Sequence, residues 1–533
     1  MNGLTRRGFL AGTAIGGASL VTGTSVAAAS AKPAAGDCGP FGPVTIPTGD
    51  PRYKSIQQAH NTRYTGAPDY AKVVGTPRQV LDAVGEAVAN NKRLAVRSGG
   101  HCMEDFTTTP DIKALIDLSQ LDEVYYDEAK RAFAVEPGAT IGKVAETLFK
   151  GWGVMIPGTG CAAVGVGGHI PGGGYGFFSR RHGLTVDHLH AVEVVTVDAS
   201  GTPRLITATR EANDPNRDLW WAHTGGGGGN FGVATRYWFR TPGVSSTDPS
   251  KLLPKTGNQR ARMLMWSWDS MSEQAFVTLI RNYCAWFEQN SAPGSPNTKV
   301  WGTLFANHAS AGTIGMLAGV EDTVPGGEAM LNAHFDTITA GVGVPPMSDF
   351  GEVTSWLDPR NWVSDPAGRQ KNKTADLRKG YTEQQISAMY RHLTDTNYAN
   401  PNALVNITGF GGAINGVAPD ATAAVHRDSI LRVYFTAGGW TGEWEDQTNM
   451  TWIRNLYRDV YADTGGVPVP NAINGGAFIN YADSDLRDPA WNTSGVPWHT
   501  LYYRDNYPRL QRIKKRYDPR NVFKHGMSIV PAS

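Results

Sequence analysis

The chain has 533 residues, of which 41% are hydrophobic and 18% are charged, and its formal net charge is +1. This length is enough for a large core and more than one domain, and the composition is that of an ordinary globular protein. Acidic and basic residues nearly cancel, so the sequence gives no indication of nucleic acid or of an anionic membrane surface as a partner.

The first 31 residues have the pattern of an export signal. Arg6 and Arg7 precede a short, weakly apolar stretch over residues 8–26, and the small residues of "SVAAASA" follow it. This pattern predicts a twin-arginine signal peptide over residues 1–31, with a disordered N-terminus that contains Arg-Arg by chance as the alternative. The apolar stretch is too short, and too rich in Gly, Ala and Thr, to span a bilayer stably. We therefore expect an exported protein with no stable membrane insertion.

The four cysteines are too few for a disulfide-stabilised fold. Cys284 lies on the apolar face of a helix predicted over residues 272–290, which favours a buried core thiol. Cys38 follows the export signal beside glycine and proline, which is typical of a loop. Cys102 and Cys161 instead lie in or beside glycine-rich stretches.

From about residue 70 the pattern alternates between strands and helices. "AKVVG" predicts a strand, and "TPRQVLDAVGEAVANN" predicts a helix with Thr76 as its N-cap and Pro77 in its first turn. "DEVYYDEAKRAFAVEPGA" predicts a β-hairpin, and "TIGKVAETLFKGWGV" predicts a short helix that stops at Gly151. Further strands are predicted at "RLAVRSGG" and "HAVEVVTVDASG".

Two changes in composition divide the chain. After Pro242, "GVSSTDPSKLLPKTGNQ" has the composition of a linker, and longer helices then alternate with strands that contain many Trp and Phe residues. The sequence becomes aromatic and loop-rich again near its C-terminus. We therefore predict three segments, at residues 50–242, 243–470 and 471–533, and expect the last to return to the first.

Two glycine runs indicate a ligand that the backbone approaches closely. These are "PGTGCAAVGVGGHIPGGGYG" and "HTGGGGGNFG". Glycine permits positive φ and close approach, and successive amides in such loops bind phosphate. "GTGCAA" matches the dinucleotide pattern G-x-G-x-x-A only weakly, because more glycine follows where a Rossmann loop would enter a helix. The alternative is a pair of flexible surface loops.

A zinc site is the next alternative, and the sequence argues against it. Neither C-x-x-C nor H-E-x-x-H occurs, and adjacent His and Cys side chains do not readily face one ion, so we expect no metal. The residues that could act as zinc ligands are His101, Cys102, Cys161, His169, His188 and His190.

Four stretches together resemble the berberine-bridge-enzyme-like FAD-linked oxidases, which are flavoproteins of the vanillyl alcohol oxidase type. They are "RSGGHCMEDF", "GTGCAAVGVGGHIPGGGYGFFSRRHGLTVDHLHAVEVVTVDASG", "LWWAHTGGGGGNFGV" and "YPRLQRIKKRYDPRNVF". The similarity runs from about residue 50 to the end and is strongest to the bacterial branch that contains aclacinomycin oxidoreductase and tirandamycin oxidase.

The resemblance implies an α+β fold. A PCMH-type FAD-binding domain is expected at residues 50–242, and an α+β substrate-binding domain with an antiparallel sheet backed by helices at residues 243–470. A berberine-bridge-like C-terminal segment, residues 471–533, is expected to return to the FAD domain.

The resemblance also implies that FAD is attached covalently at two points. His101 matches the histidine that bonds the 8α-methyl group, and Cys161 matches the cysteine that bonds C6 of the ring. Cys102 is then a bystander, whose side chain points away from that of His101 if the segment is extended. A core histidine and an inert thiol are the structural alternatives. The other expected cofactor-binding residues are Arg97, Ser98, Gly99, Gly100, Gly160, Gly165, Val166, Gly167, Gly168, His169, Gly172, Gly173, Gly174, Gly228, Asn230, Phe231, Gly232, Val233, Tyr481 and Asn521.

Tyr481 in "FINYAD" matches the family's catalytic base, and Tyr175 in "GGGYG" matches a tyrosine that hydrogen-bonds to it. Free tyrosine has a pKa of about 10, so a tyrosine that acts as a base near neutrality needs a lowered pKa. A packed aromatic side chain is the structural alternative for each.

The expected reaction is oxidation of a small-molecule alcohol with O2 as the electron acceptor. Phe410 lies where a two-step relative has a second tyrosine, which favours a single alcohol-to-ketone step because phenylalanine exchanges no proton. Trp301, Phe305 and Trp356 suit either sugars or polyketides. Three hypotheses remain: an oxidase of an antibiotic or its sugar, an oligosaccharide oxidase, and a non-catalytic exported binding protein.

Overall fold

The computed structural model describes residues 40–158, 160–358, 362 and 367–533. The predicted export signal and Cys38 lie outside these ranges. The first strands are β1 (Val44–Pro47), β2 (Tyr70–Val73), β3 (Leu94–Arg97) and β4 (Ala114–Asp117). They form a sheet in the order β1–β2–β4–β3, in which β1 is antiparallel to β2 and the other pairs are parallel.

A second, antiparallel sheet follows in the chain. Its strands are β5 (Val124–Asp127), β6 (Ala132–Val135), β7 (Leu189–Val197), β8 (Pro203–Thr209) and β9 (Val233–Phe239). They lie in the order β5–β6–β9–β7–β8. The predicted hairpin is confirmed, since Val124 of β5 pairs with Val135 of β6.

The third sheet has eight strands and is antiparallel throughout. The strands are β10 (Gln259–Ser267), β11 (Trp301–Asn307), β12 (Thr313–Glu321), β13 (Ser348–Thr354), β14 (Arg369–Leu377), β15 (Leu404–Gly409), β16 (Leu431–Trp440) and β17 (Asn474–Gly476). Their order is β13–β10–β12–β11–β15–β16–β14–β17.

Helices cover the sheets and confirm the predicted α+β class. They are α1 (Tyr53–Gln57), α2 (Pro77–Ala89), α3 (Ile141–Trp152), α4 (Val166–His169), α5 (Ser179–His182), α6 (Arg217–Ala222), α7 (Glu273–Asn290), α8 (Gly327–Thr339), α9 (Glu383–Leu393), α10 (Asp446–Val460), α11 (Trp498–Tyr503) and α12 (Tyr507–Tyr517). Helices α8 and α10 contact the eight-stranded sheet, and α7 and α9 pack against them.

Local signals placed two of these helices correctly. Thr76 caps α2 by accepting a hydrogen bond from the backbone nitrogen of Gln79 at 3.2 Å. Helix α3 ends at Trp152, where Gly153 takes a φ of 66°, so the predicted stop at Gly151 is slightly early. Val80 and Val84 of α2 are fully buried between the first two sheets, and burial of each contributes about 1.5–3 kcal/mol.

The C-terminal segment contacts the chain ahead of β9. Helix α12 packs against α6. The Nζ of Lys514 donates to the backbone carbonyl of Asn230 at 2.6 Å. The backbone nitrogen of Ile529 donates to the side-chain oxygen of Asn230 at 2.8 Å. These bonds hold one of the glycine-rich turns from behind.

Candidate active site

A cavity of about 1160 Å³ lies between the glycine-rich loops and the eight-stranded sheet. Parts of the segments 94–107, 160–177 and 223–237 contribute to one wall, and strands β11, β15 and β16 contribute to the other. Residues 478–482 and 523–525 also line the cavity. A typical small-molecule pocket has roughly 300–1,000 Å³, so this cavity has room for a large cofactor together with a substrate.

Two glycines bring the glycine-rich stretches into backbone contact. A Cβ on Gly99 would lie 2.5 Å from the backbone nitrogen of Gly165, and a Cβ on Gly165 would lie 2.3 Å from that of Gly99. Any side chain at either position would therefore force the two segments apart. This contact places the neighbouring His101 and Cys161 on the same cavity.

His101 lies beside a second histidine. The rings of His60 and His101 stack with centroids 4.0 Å apart and planes 18° apart. The backbone nitrogen of His60 donates to the carbonyl of Gly100 at 2.9 Å, which holds the loop against its neighbour. The stack thus fixes the plane of the His101 ring.

Arg97 and Ser98 support the loop that carries His101. Arg97 donates through Nε and Nη2 to the carboxylate of Asp117 at 2.9 and 2.6 Å. Ser98 donates through its hydroxyl to the carbonyl of Pro137 at 2.6 Å. Both residues line the cavity, but these bonds hold the protein rather than a ligand.

Cys102 is also among the residues that line the cavity. The prediction that its side chain points away from that of His101 assumed an extended segment. The segment after β3 is irregular, so the alternation of an extended strand does not apply to it. Burial raises the pKa of the Cys102 thiol to about 11. The group is therefore protonated near neutrality, and a protonated thiol is a poor nucleophile.

Residues 172–174 form the turn that leads into Tyr175, but they do not line the cavity. Gly172 packs on Asn480, since a Cβ there would lie 1.8 Å from the side-chain oxygen. The next two glycines have φ of 115° and 64°, which favour glycine. These glycines shape the turn and dock the segment that contains Tyr481, and their contact with a cofactor stays a prediction.

Asn230 closes the second glycine-rich turn. Its Nδ2 donates to the carbonyls of Gly226, Gly227 and Gly228 at 3.1–3.2 Å. The bonds curl the backbone of this turn along the cavity wall. The predicted residues that line the cavity are Arg97, Ser98, Gly99, Gly100, His101, Gly160, Cys161, Gly165, Gly167, Gly168, His169, Tyr175, Gly228, Asn230, Phe231, Gly232, Val233 and Tyr481.

Val166 and Asn521 are not among the residues that line this cavity, and their contact with a cofactor stays a prediction. Val166 begins α4, is 2% exposed and packs into the core. Asn521 takes a φ of 52° in the turn after α12, where its backbone nitrogen donates to the carbonyl of Asp518 at 3.0 Å. Their contacts are those of packing and turn formation.

Tyr175 and Tyr481 meet at the cavity from distant parts of the chain. Their hydroxyl oxygens are 3.5 Å apart, and the ring of Tyr434 lies 4.9 Å from that of Tyr481. Burial raises the pKa of Tyr481 well above its ordinary value, and the neighbouring tyrosines raise it further. Burial also raises the pKa of Tyr175. The polypeptide groups alone therefore do not give the lowered pKa that the sequence argument requires.

Arg432 opposes this effect. Its guanidinium carbon lies 3.7 Å from the ring centroid of Phe478, 4.4 Å from that of Phe410 and 4.6 Å from that of Tyr175. Asp376 holds it through two bonds of 2.8 and 3.0 Å. The positive charge of Arg432 acts to lower the pKa of Tyr175 and of Tyr481, against the larger effect of burial.

Comparison with known proteins identifies the family. A family model described as FAD binding domain matches residues 68–204, and one described as berberine and berberine like matches residues 477–530. Aclacinomycin-N/aclacinomycin-A oxidase from Streptomyces galilaeus is 47% identical, over 100% of this chain and 99% of the relative. The chain belongs to the berberine-bridge-enzyme-like FAD-linked oxidases.

Solved structures of similar flavoenzymes confirm the PCMH-type fold of this FAD-linked oxidase. A flavoenzyme of caerulomycin biosynthesis superimposes with a TM-score of 0.90 at 46% identity, covering 92% of this chain and 99% of that one. A glycopeptide hexose oxidase in complex with teicoplanin gives a TM-score of 0.89 at 47% identity, covering 93% and 100%.

The cavity of the oxidase fits FAD. No Asp or Glu occurs among the described residues that line it, which suits an anionic pyrophosphate. A Cβ on Gly168 would meet no atom within 4 Å, so the glycine leaves its part of the wall open to a ligand. The buried hydroxyl of Tyr237 lines the cavity and has no hydrogen-bond partner within the described ranges. The residues of the glycine-rich wall would hold FAD.

The opposite wall of the oxidase carries residues that sequence reasoning missed. Asn406 donates to the hydroxyl of Thr303 at 2.8 Å and accepts from the hydroxyl of Thr408 at 2.8 Å. Thr303 pairs with Thr408 across β11 and β15. Such a row depends on strand pairing, for which the sequence offers no local signal.

The aromatic residues singled out in the sequence take different positions in the oxidase. Phe305 lines the cavity. Trp301 stacks on Phe177, another lining residue, with centroids 4.6 Å apart. Trp356 does not line the cavity and packs against the ring of Phe178. Phe410 is 1% exposed and packs against the ring of Tyr175.

The described part of the oxidase gives two further findings. No helix in it is long and apolar enough to cross a membrane. No group of three His, Cys, Asp or Glu residues in it is arranged to hold a metal ion.

Proposed function

We propose that this FAD-dependent oxidase holds FAD covalently through His101 and Cys161 and oxidises a secondary alcohol of a natural product to a ketone. The substrate class is a polyketide antibiotic or its sugar. One observation carries the proposal: the Tyr175–Tyr481 pair shares a cavity with both attachment residues. The same juxtaposition argues against a non-catalytic binding protein.

The division of labour follows from the chemistry of alcohol oxidation. Bound FAD supplies a hydride acceptor, and O2 takes the electrons onward to give H2O2. Tyr481 removes the hydroxyl proton as the carbon–hydrogen bond breaks, so that hydride and proton leave the alcohol separately. Tyr175 hydrogen-bonds to Tyr481 and Arg432 stabilises negative charge on the pair.

The proposed substrate class draws on the relatives and on the second wall. The relatives include an aclacinomycin oxidase, a flavoenzyme of caerulomycin biosynthesis and a glycopeptide hexose oxidase. Thr303, Asn406 and Thr408 present neutral hydrogen-bonding groups to the cavity, beside the aromatic ring of Phe305. A neutral hydroxylated ring system fits such a wall. A single oxidation step is proposed because Phe410 has no exchangeable proton.

An oligosaccharide oxidase is the second candidate. The row of Thr303, Asn406 and Thr408 would suit a sugar chain as well as an appended sugar. A substrate panel with a peroxide readout separates the two. We expect H2O2 from hydroxylated polyketides or their glycosides, whereas turnover of free oligosaccharides alone would favour the alternative.

The cellular context is also proposed. The pattern of residues 1–31 supports export by the twin-arginine route, which carries folded proteins, and hence a secreted oxidase. Its partners are then a small-molecule alcohol and O2, with no nucleic acid.

Cys102→Ser is expected to leave the flavin covalently attached and most of the activity intact. The Cys102 thiol is protonated near neutrality, because its burial raises its pKa. The measurement is flavin absorbance retained by the acid-precipitated chain, with Cys161→Ser as the matched comparison. If Cys102→Ser, but not Cys161→Ser, loses the spectrum of the ring–sulfur bond, the assignment of the thiol is reversed.

Arg432→Met is expected to move the rising limb of the pH–rate profile to higher pH. The base works in its deprotonated form, so the rate of flavin reduction rises as pH passes upward through the pKa of the tyrosine pair. Removal of Arg432 raises that pKa, and Asp376, left without its arginine, acts in the same direction. A shift of about one pH unit corresponds to about 1.4 kcal/mol. Arg432→Lys keeps the positive charge, so its pH–rate profile is expected to rise near the original pH. If the profile of Arg432→Met also rises at the original pH, the proposed effect of Arg432 on the pKa of the tyrosine pair is contradicted.

A further inference from the structure

A cluster of buried charges lies beside the cavity without lining it. It consists of three cations, Lys371, Lys373 and Arg454, and three carboxylates, Glu104, Asp483 and Asp485. The two lysines and three carboxylates are each at most 4% exposed. Removing these charged groups from water costs free energy, and their mutual attraction at most repays that cost. The cluster therefore adds little to stability, and we interpret it as fixing the relative positions of the segments that it joins.

Within this cluster, Glu104 joins three separate parts of the chain through its hydrogen bonds. Its Oε1 accepts from Lys371 of β14 and from the backbone nitrogen of Ser484, the latter at 3.2 Å. Its Oε2 accepts from the hydroxyls of Tyr64 at 2.7 Å and Ser484 at 3.1 Å. Burial raises the pKa of this carboxyl, but Lys371 and the hydrogen bonds outweigh it, so the pKa lies below its ordinary value. The side chain is therefore ionised near neutrality.

The hydrogen bonds between Glu104 and Ser484 join the segment that contains His101 to the segment that contains Tyr481. Glu104 follows His101 closely in the chain, and Ser484 follows Tyr481 closely. We propose that Glu104 is a positioning residue that holds the segment of the flavin-attaching His101 in register with the segment of Tyr481. The inference rests on the proposed function, since it assumes that His101 bonds the flavin and that Tyr481 is the base.

Register matters because both groups act on one small ring system. Catalytic groups must be held within about 0.5 Å of the productive geometry. The only covalent path between the two segments runs through most of the chain, so a direct side-chain bridge is an effective way to fix their separation. Glu104 makes two hydrogen bonds to Ser484 across that gap.

The segment of His101 has a second attachment that does not involve Glu104. Asn61 donates through Nδ2 to the carbonyl of Met103 at 2.8 Å and to that of Gln370 at 3.0 Å. Lys371 also keeps Asp483 as a partner at 2.7 Å when the Glu104 carboxylate is removed. We therefore expect Glu104→Ala to fold with a displaced His101 segment rather than to unfold.

The test measures attachment through each residue separately. Glu104→Ala is combined with Cys161→Ala, which leaves only His101 to bond FAD, and in parallel with His101→Ala, which leaves only Cys161. Each purified protein is acid-precipitated after timed incubation with FAD, and the flavin that stays with the chain is measured. A displacement of about 1 Å costs about 10²-fold in rate, so we expect attachment through His101 to slow by at least about tenfold. Attachment through Cys161 is expected to change little.

Two variants separate positioning from general destabilisation. Glu321 is a buried carboxylate that pairs with Arg181 at 2.8 Å and does not line the cavity. Glu321→Ala is expected to lower thermal stability to a similar degree without slowing attachment. Glu104→Gln keeps the length of the side chain and can still bond Ser484, so it is expected to restore most of the attachment rate.

The failures of the two proposals are distinguishable. If Cys161→Ala alone releases its flavin on denaturation, the assignment of His101 is wrong and the proposed function must be revised. If Cys161→Ala retains flavin and Glu104→Ala in that background attaches it at an equal rate, the positioning role is overturned. Ser484→Ala removes the hydrogen bond from the Ser484 hydroxyl to Glu104 and changes no charge. In the Cys161→Ala background, flavin attachment at the same rate with and without Ser484→Ala would count against the positioning role of Glu104. This test holds even if Glu104→Ala does not fold.

Discussion

Tyr481→Phe is expected to lower the rate at which substrate reduces the flavin by about 10²–10⁴-fold, the usual range for loss of a general base. This loss corresponds to about 3–5 kcal/mol of activation free energy. The phenylalanine ring can occupy the same space beside Tyr434 and Phe478. The fold, the flavin and substrate binding should therefore be retained, while the group that receives the proton is lost.

Rapid mixing under anaerobic conditions measures this effect directly as flavin bleaching. Tyr390→Phe is a suitable control, because the Tyr390 hydroxyl donates to the carbonyl of Met271 at 3.2 Å and the residue is not among those that line the cavity. Reoxidation of chemically reduced Tyr481→Phe by O2 should be near normal, since that half-reaction does not use the substrate base. Bleaching at the wild-type rate would mean that the proton leaves by another route, with Tyr175 the next candidate.

The double variant His101→Ala, Cys161→Ala is expected to release nearly all of its flavin on denaturation, whereas each single variant retains it. The reason is that either bond alone keeps the ring on the chain. His101 and Cys161 share one cavity because Gly99 and Gly165 are in backbone contact. The measurement is flavin absorbance in the supernatant and in the pellet after acid precipitation.

The folded double variant is also informative before denaturation. The glycine-rich wall and the hydroxyl of Tyr237 are unchanged in it, so it should still bind FAD reversibly. Flavin that stays with the denatured double variant would show that another residue is an attachment point.

Local sequence signals predicted much of the framework of this oxidase. Thr76 and Pro77 fixed the start of α2 because capping and first-turn preferences act within a few residues. The hairpin of β5 and β6 was visible in its own alternation and turn. The glycine-rich stretches indicated close backbone approach, which Gly99 and Gly165 make to each other.

The rest of the site depends on contacts between distant segments. The row of Thr303, Asn406 and Thr408 exists because β11 pairs with β15, and strand alternation alone does not reveal that partner. The bridge from Glu104 to Ser484 likewise joins parts of the chain with no shared local pattern. The family resemblance predicted roles for single residues, but it did not predict the contacts that hold those residues in place.

The protonation state of the base shows a further limit of sequence reasoning. A base near neutrality needs a lowered pKa, yet burial raises the pKa of Tyr481. Burial and neighbouring charge follow from the tertiary structure, and the motif "FINYAD" carries neither. Arg432 comes from β16 and supplies the opposing charge.

Peptide mapping of the purified wild-type protein by mass spectrometry tests the central claim most directly. Trypsin is expected to release residues 98–113, which contain His101, and residues 151–180, which contain Cys161. We expect these two peptides to be joined through a single FAD, with fragment ions that place the bonds on His101 and Cys161. Two separate peptides at their unmodified masses would contradict it.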